Sequence, residues 1–260
     1  MKHEMPRKSS YGKVFLVLLL AGLIGVIALV PTAVKQLQSI PGLPEMPFGL
    51  LVFLSVLQPM ILLVIAVALG TWMAPRVGLT SLIAEKLTSG APLRSRLRAQ
   101  LPAALIAGIT AAVALPLLDL FFQPWLPASF STEAPPRDLV FTAGAMLYGG
   151  ITEELLLRWG MMSVLAWAGW RLFQRGGDRP GGAVFAAALL ISAVLFGIGH
   201  LGAVAILAPL TPMLILRTIL LNAVGGIIFG WLYWKKSLEA AMIAHAVAHL
   251  IMTLLSLITG

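Results

Sequence analysis

Long apolar runs separated by short polar or basic stretches dominate the chain. They fall at Val14 to Val30, Phe48 to Met73, Leu101 to Phe122, Leu139 to about Ala168, Ala183 to His200, Met213 to Trp234 and Leu238 to Ile258. A helix of about 20 apolar residues has the length needed to cross the hydrocarbon core of a bilayer. A backbone in lipid must also satisfy its own hydrogen bonds, which a helix does. The pattern therefore predicts an all-α fold, a polytopic transmembrane helix bundle of about seven spans. One more apolar stretch, Leu201 to Pro212, is short and proline-bounded, and is expected as a re-entrant or interfacial connector. Counting it as a span would make eight. The first run is longer than the apolar core of a secretory signal, and Pro31 and Lys35 follow it rather than a small-residue cleavage site, so an uncleaved span is expected.

Composition closes the soluble alternative. Of the 260 residues, 59% are apolar and 11% charged, against about 25% charged in soluble domains. There are too few polar side chains to cover a water-soluble surface. A net charge of +8 would in a soluble domain point to nucleic acid. Here the cations sit in clusters between apolar runs, so the expected partners are membrane lipids and no nucleic acid. The chain has no cysteine, which leaves carboxylates, imidazoles, hydroxyls and amides to carry any chemistry.

The cations also orient the bundle. With the N-terminus in the cytoplasm, fourteen of the eighteen Lys and Arg fall on the cytoplasmic side. They are Lys2, Arg7, Lys8, Lys13, Arg76, Lys86, Arg94, Arg96, Arg98, Arg171, Arg175, Arg179, Lys235 and Lys236. Three, Lys35, Arg137 and Arg217, fall opposite, and Arg158 lies within a span. This is the bias of the positive-inside rule. The expectation is a multi-pass protein of a bacterial or archaeal plasma membrane with a cytoplasmic N-terminus. Between the second and third spans, Leu79 to Gln100 mixes apolar residues with Lys86 and three arginines. It reads as an amphipathic surface helix or a basic patch against lipid, or as a loop that only fixes topology. Residues 1–138 are thus N-terminal spans with a basic segment, and 139–260 a second group of spans, together one membrane domain.

The second group holds the unusual residues. An ionisable side chain in a span costs about 2.5 to 3.5 kcal/mol on insertion scales, yet Glu153, Glu154, Arg158, His200, His245 and His249 all fall in spans. Asp119, near the end of the third span, has a headgroup-level or capping role as its default. On an α-helix Glu154 and Arg158 are an i, i+4 pair on one face, while Glu153 points elsewhere. Arg158 would then hold Glu154 and leave Glu153 to face a cavity as a candidate general base. Phe196 with His200, and His245 with His249, repeat the i, i+4 spacing.

Three motifs carry a family resemblance. Glu153-Glu154-Leu-Leu-Leu-Arg158 is EExxxR, Phe196-Gly-Ile-Gly-His200 is FxxxH, and His245 to His249 stands where an HxxxN motif would. In this order, on successive spans and with Gly225, Gly226 and Gly230 before the third motif, they resemble the CAAX protease and bacteriocin-processing (CPBP, or Abi) family over about Leu139 to Ile258. The resemblance implies an intramembrane endopeptidase acting on a membrane-associated or lipid-modified protein or peptide, without a cofactor. It implies that Glu153 with His200 activates water, that Glu154 and Arg158 support the site, and that His245 with His249 stabilises the oxyanion. His249 departs from the family's usual asparagine. It creates the alternative of a zinc-dependent protease with His200, His245 and His249 as ligands. A buried Glu-Arg clamp that only fastens helices, a proton-relaying transporter and a non-proteolytic scaffold are the other readings.

Overall fold

The computed structural model describes residues 8–40, 42, 45–127, 130, 138–174 and 177–259. Lys2, Arg7, Arg137 and Arg175, which entered the charge count, lie outside them. Helices account for nearly all of it: α1 (Lys8–Ser39), α2 (Phe48–Val77), α3 (Leu82–Ser89), α4 (Leu93–Phe122), α5 (Leu139–Leu147), α6 (Ser163–Phe173), α7 (Gly182–Gly199), α8 (Leu201–Leu207), α9 (Pro212–Lys235) and α10 (Leu238–Thr259). The residues between α5 and α6 are helical too, so 139–173 is one unbroken helical run. Among the described residues, six helices are long and apolar enough to cross a bilayer. The run through α5 and α6 is the remaining predicted span. The expected connector, Leu201 to Pro212, holds α8, whose seven residues continue α7 past a turn at His200, so that Gly182–Leu207 forms one candidate span and the span is longer than expected.

The outer surface confirms the solvent. Leu16, Leu20, Ile24 and Ile27 on α1, and Ile106, Ile109, Val113 and Leu117 on α4, are exposed. Rows of exposed branched aliphatics suit acyl chains and would be untenable in water. The chain is an integral membrane protein. Its interior is made by close helix approaches, as expected where lipid removes the hydrophobic drive between helices. Gly197 on α7 lies against the Ile219 backbone of α9, and Gly150 against Ala246 and the Met242 carbonyl of α10; a Cβ at either would meet atoms closer than 3.0 Å.

Polar ties sit mainly at the two ends. At one, Gly78 ends α2 in the left-handed conformation at φ 81°, and the next turn docks onto the start of α10. Glu239 accepts from Ser81 Oγ at 2.7 Å, Leu82 N at 2.8 Å and Ile83 N at 3.0 Å. The Leu238 amide donates to Thr80 O, and Ser237 Oγ to Gln100 Oε1. At the other end Asp138 caps α5 through the Phe141 amide and pairs with Lys35 at 2.8 Å. Asp119 pairs with Arg217 at 2.5 Å, tying α4 to α9. These ties hold the helices that carry the buried charges.

Candidate active site

The run that carries Glu153, Glu154 and Arg158 departs from α geometry. It widens to π-helix over Tyr148–Glu153 and again over Leu155–Met162. A π-helix advances by roughly 82° per residue, because its hydrogen bonds run i to i+5. Measured round the axis from Glu153, Glu154 then lies at about 82° and Arg158 at about 50°. The three side chains share one sector, whereas α geometry would spread them over about 140°. Sequence periodicity gave no sign of this. π segments are rare, and where they occur they often re-aim functional side chains.

Glu154 and Arg158 form the buried centre, at 0% and 2% exposed. Arg158 Nη1 lies 3.1 Å from Glu154 Oε1, an ion pair by distance whose angle is not that of a hydrogen bond. Arg158 Nη2 donates to the Gly226 carbonyl at 3.2 Å. The guanidinium also lies over two rings, 5.3 Å from the Phe196 centroid and 5.7 Å from that of Phe229. Cation–π contact with desolvated rings recovers part of the lost hydration. Glu154 Oε1 is shared, since His245 Nδ1 is bonded to it at 2.8 Å. The pair is therefore a triad, in which one carboxylate fixes a guanidinium and an imidazole from another helix.

Glu153 stands apart from Arg158 and between two imidazoles. Its Oε1 is 3.8 Å from His200 Nε2, and its Oε2 is 3.9 Å from His245 Nε2. His200 sits where α7 ends, and its Nδ1 bonds the Phe196 carbonyl at 2.8 Å. A carbonyl oxygen only accepts, so Nδ1 carries a proton, and in the neutral ring Nε2 has a lone pair facing Glu153. The Phe196 ring meets His200 edge-on, at 4.6 Å and 88°. A water about 2.8 Å from both Glu153 Oε1 and His200 Nε2 would subtend an angle of about 85° there, a geometry in which one molecule contacts both acceptors. Glu153 is 14% and His200 34% exposed, so this edge of the cluster is the open one.

His249 joins from one turn along α10. Its ring stacks on that of His245 at 5.0 Å and 19°, and His245 in turn stacks on Phe229 at 4.5 Å. The floor under both imidazoles is Gly149. A Cβ there would lie 2.7 Å from His249 Nε2 and 3.1 Å from His245 Nε2. Gly149, Phe229 and the carbonyl of Gly226 were missed as site elements, although the Gly149-Gly150 pair one turn before the two glutamates is a visible signal in Tyr148-Gly-Gly-Ile-Thr-Glu-Glu. All six residues singled out in the sequence are thus brought to one cluster. Of the three histidines in the zinc alternative, His245 and His249 are stacked on α10 while His200 comes from the end of α7. Among the described residues no three His, Cys, Asp or Glu side chains converge as metal ligands.

Residues 135–251 match a family model described as type II CAAX prenyl endopeptidase, Rce1-like. The segment begins just before α5 and ends two residues past His249, so it includes every member of the cluster. The similarity to CAAX proteases noted from the motifs is thereby shown over this stretch, and it supports a membrane protease of the CAAX type, a hydrolase. No curated protein and no solved structure matches the chain.

Proposed function

We propose that the protein is a glutamic-type intramembrane endopeptidase, cleaving a peptide bond in a membrane-associated or lipid-modified protein or peptide. The observation that carries this reading is the Glu153 carboxylate, set between His200 Nε2 at 3.8 Å and His245 Nε2 at 3.9 Å, outside the Arg158 ion pair. A water held by Glu153 and His200 attacks the scissile carbonyl carbon as Glu153 takes its proton. The carbonyl π electrons move to oxygen, and N–H donors from the His245–His249 stack stabilise the oxyanion. Donors of this kind contribute about 10²- to 10³-fold each. Collapse of the tetrahedral intermediate breaks the C–N bond. Glu153 returns the proton to the departing amine, and the second hydrogen of the water stays on the new hydroxyl, so a carboxylic acid and an amine leave and no acyl-enzyme forms.

Glu154 and Arg158 act by positioning in this scheme. The Nδ1 bond to Glu154 fixes the His245 ring, and in its imidazolium form that ring can donate from Nε2. Each step of this scheme is carried by side chains of the chain itself. The orientation proposed places the N-terminus in the cytoplasm, on the fourteen-to-three distribution of cations.

The test is cleavage of a membrane-tethered reporter by purified full-length protein in proteoliposomes, wild type against Glu153→Gln. The isosteric change removes the base, and general-base catalysis is worth about 10²- to 10⁴-fold. Loss of that size with an unchanged melting temperature supports the reading. Cleavage that survives Glu153→Gln overturns it, and solute transport unaffected by the change, with no cleavage, would favour a transporter.

A further inference from the structure

At the end of the bundle that gathers most of the cations, α3 and the first turns of α4 enclose an open groove of about 1030 Å³. Lys86, Arg94 and Arg98 line it, with Leu93 and Leu97 between them. Four other cations at this end already have a partner. Arg96 is paired with Glu85, while Arg76, Arg171 and Lys235 lie over Trp72, Trp170 and Trp234. Lys86, Arg94 and Arg98 are exposed and face no carboxylate or ring among the described residues. Glu85, the acid next to Lys86 in the chain, is paired with Arg96.

The groove is also at the right depth. The apolar part of α4 begins at Leu101, so at 1.5 Å per residue the Arg98 backbone lies about 4.5 Å beyond it, within a headgroup layer about 5 to 8 Å thick. The Arg94 backbone lies about 10.5 Å beyond, just past that layer, and its long side chain can reach back to a phosphate. At about 100° per residue, Arg94, Arg98, Leu101, Leu105 and Ile109 all fall within one sector of about 80° on the helical wheel. Leu101, Leu105 and Ile109 are all exposed. One face of α4 thus changes from a basic groove to a lipid-facing apolar stripe without turning away.

We propose that this groove binds an anionic phospholipid, its phosphate held by Lys86, Arg94 and Arg98 and its acyl chains along Leu101, Leu105 and Ile109. The site is separate from the Glu153 cluster and does not depend on the reaction assigned there. The shared chemistry is a phosphate, and the apolar stripe selects the lipid over the free ion. Cations near an anionic surface contribute about fivefold in affinity each, on the order of 100-fold for three.

Native mass spectrometry of the full-length protein in neutral detergent micelles, titrated with phosphatidylglycerol, phosphatidylcholine or inorganic phosphate, tests this. The wild type should retain phosphatidylglycerol selectively. The triple variant Lys86→Gln, Arg94→Gln, Arg98→Gln should weaken that binding on the order of 100-fold and leave phosphatidylcholine unchanged, while Lys236→Gln at the same end should have no effect. If the triple variant does not fold, Arg94→Gln and Arg98→Gln singly should each cost about fivefold. The proposal fails if the variants bind phosphatidylglycerol like the wild type. It fails equally if the wild type does not distinguish the two lipids, or if equimolar inorganic phosphate displaces the lipid.

Discussion

Gly149→Ala is the substitution that most directly probes the packing of the proposed oxyanion donors. The new Cβ would stand 2.7 Å from His249 Nε2 and 3.1 Å from His245 Nε2, where comfortable contact is about 3.5 Å or more. The His249 ring must therefore retreat by about 0.8 Å and the His245 ring by about 0.4 Å. His245 is less free to move, because Glu154 holds its Nδ1 and Phe229 stacks on its face. Overpacking of this kind costs about 1–3 kcal/mol of stability, whereas a misplacement near 1 Å at a reacting centre costs about 10²-fold in rate. The expected result is a turnover number for reporter cleavage down about 100-fold, from a protein that still extracts and melts as a folded species. Adding His249→Asn shortens the side chain that meets the Cβ at 2.7 Å, so the double variant should recover part of the loss. Full activity in Gly149→Ala would refute the reasoning, since donors displaced without consequence do not stabilise an oxyanion. Failure of His249→Asn to recover anything would place the damage elsewhere.

Other expectations follow from the same cluster. Glu154→Gln removes the charge that opposes Arg158 at 2% exposure, and breaking a buried pair typically costs about 3–5 kcal/mol. Its melting temperature in detergent should fall well below that of Glu153→Gln, and equal values for the two would refute the division between clamp and base. Chelator treatment of purified protein should leave cleavage unchanged, and stoichiometric zinc with chelator-sensitive activity would overturn the metal-free scheme. At the far end, the Lys35 ammonium and the Phe141 amide hold the Asp138 carboxyl below its ordinary value of 3.8. A depressed carboxyl stabilises the fold above that value and loses the contribution as pH falls through its folded pKa. Thermal melts between pH 5 and 2 should therefore decline more steeply in wild type than in Asp138→Asn, and parallel curves would show that the capped pair contributes nothing.

Much of this arrangement was legible in the chain, for identifiable reasons. Lipid solvation forces long apolar runs, so the spans are written almost continuously, and ionisable residues stand out against them because each is costly. That singled out Glu153, Glu154, Arg158, His200, His245 and His249 before any geometry was available. The π segments were not legible. An α-helix assumed through 148–162 spreads Glu153, Glu154 and Arg158 over about 140°, and the polar residues there are too few to reveal a different period. Gly149 was equally hidden, because a glycine needed for close approach is defined by what approaches it, here two imidazoles on α10. The cap on α3 by Glu239, 156 to 158 positions distant, has the same origin.

The deeper gap was in reading Glu154 and Arg158 as a self-contained pair. A buried guanidinium calls for one carboxylate, and the i, i+4 spacing supplies it, which leaves His245 without a reason for its orientation. The structure gives the same carboxylate oxygen a second partner, His245 Nδ1 at 2.8 Å. The clamp is then also the device that aims Nε2 toward Glu153. This explains why a cluster in a costly environment contains two adjacent glutamates. One is consumed by the guanidinium and the imidazole it orients. The other, with no cation of its own and at the more exposed edge, is the one whose proton affinity can be used. A pure clamp would need only the first, and a lone base would have nothing to hold its histidines in place.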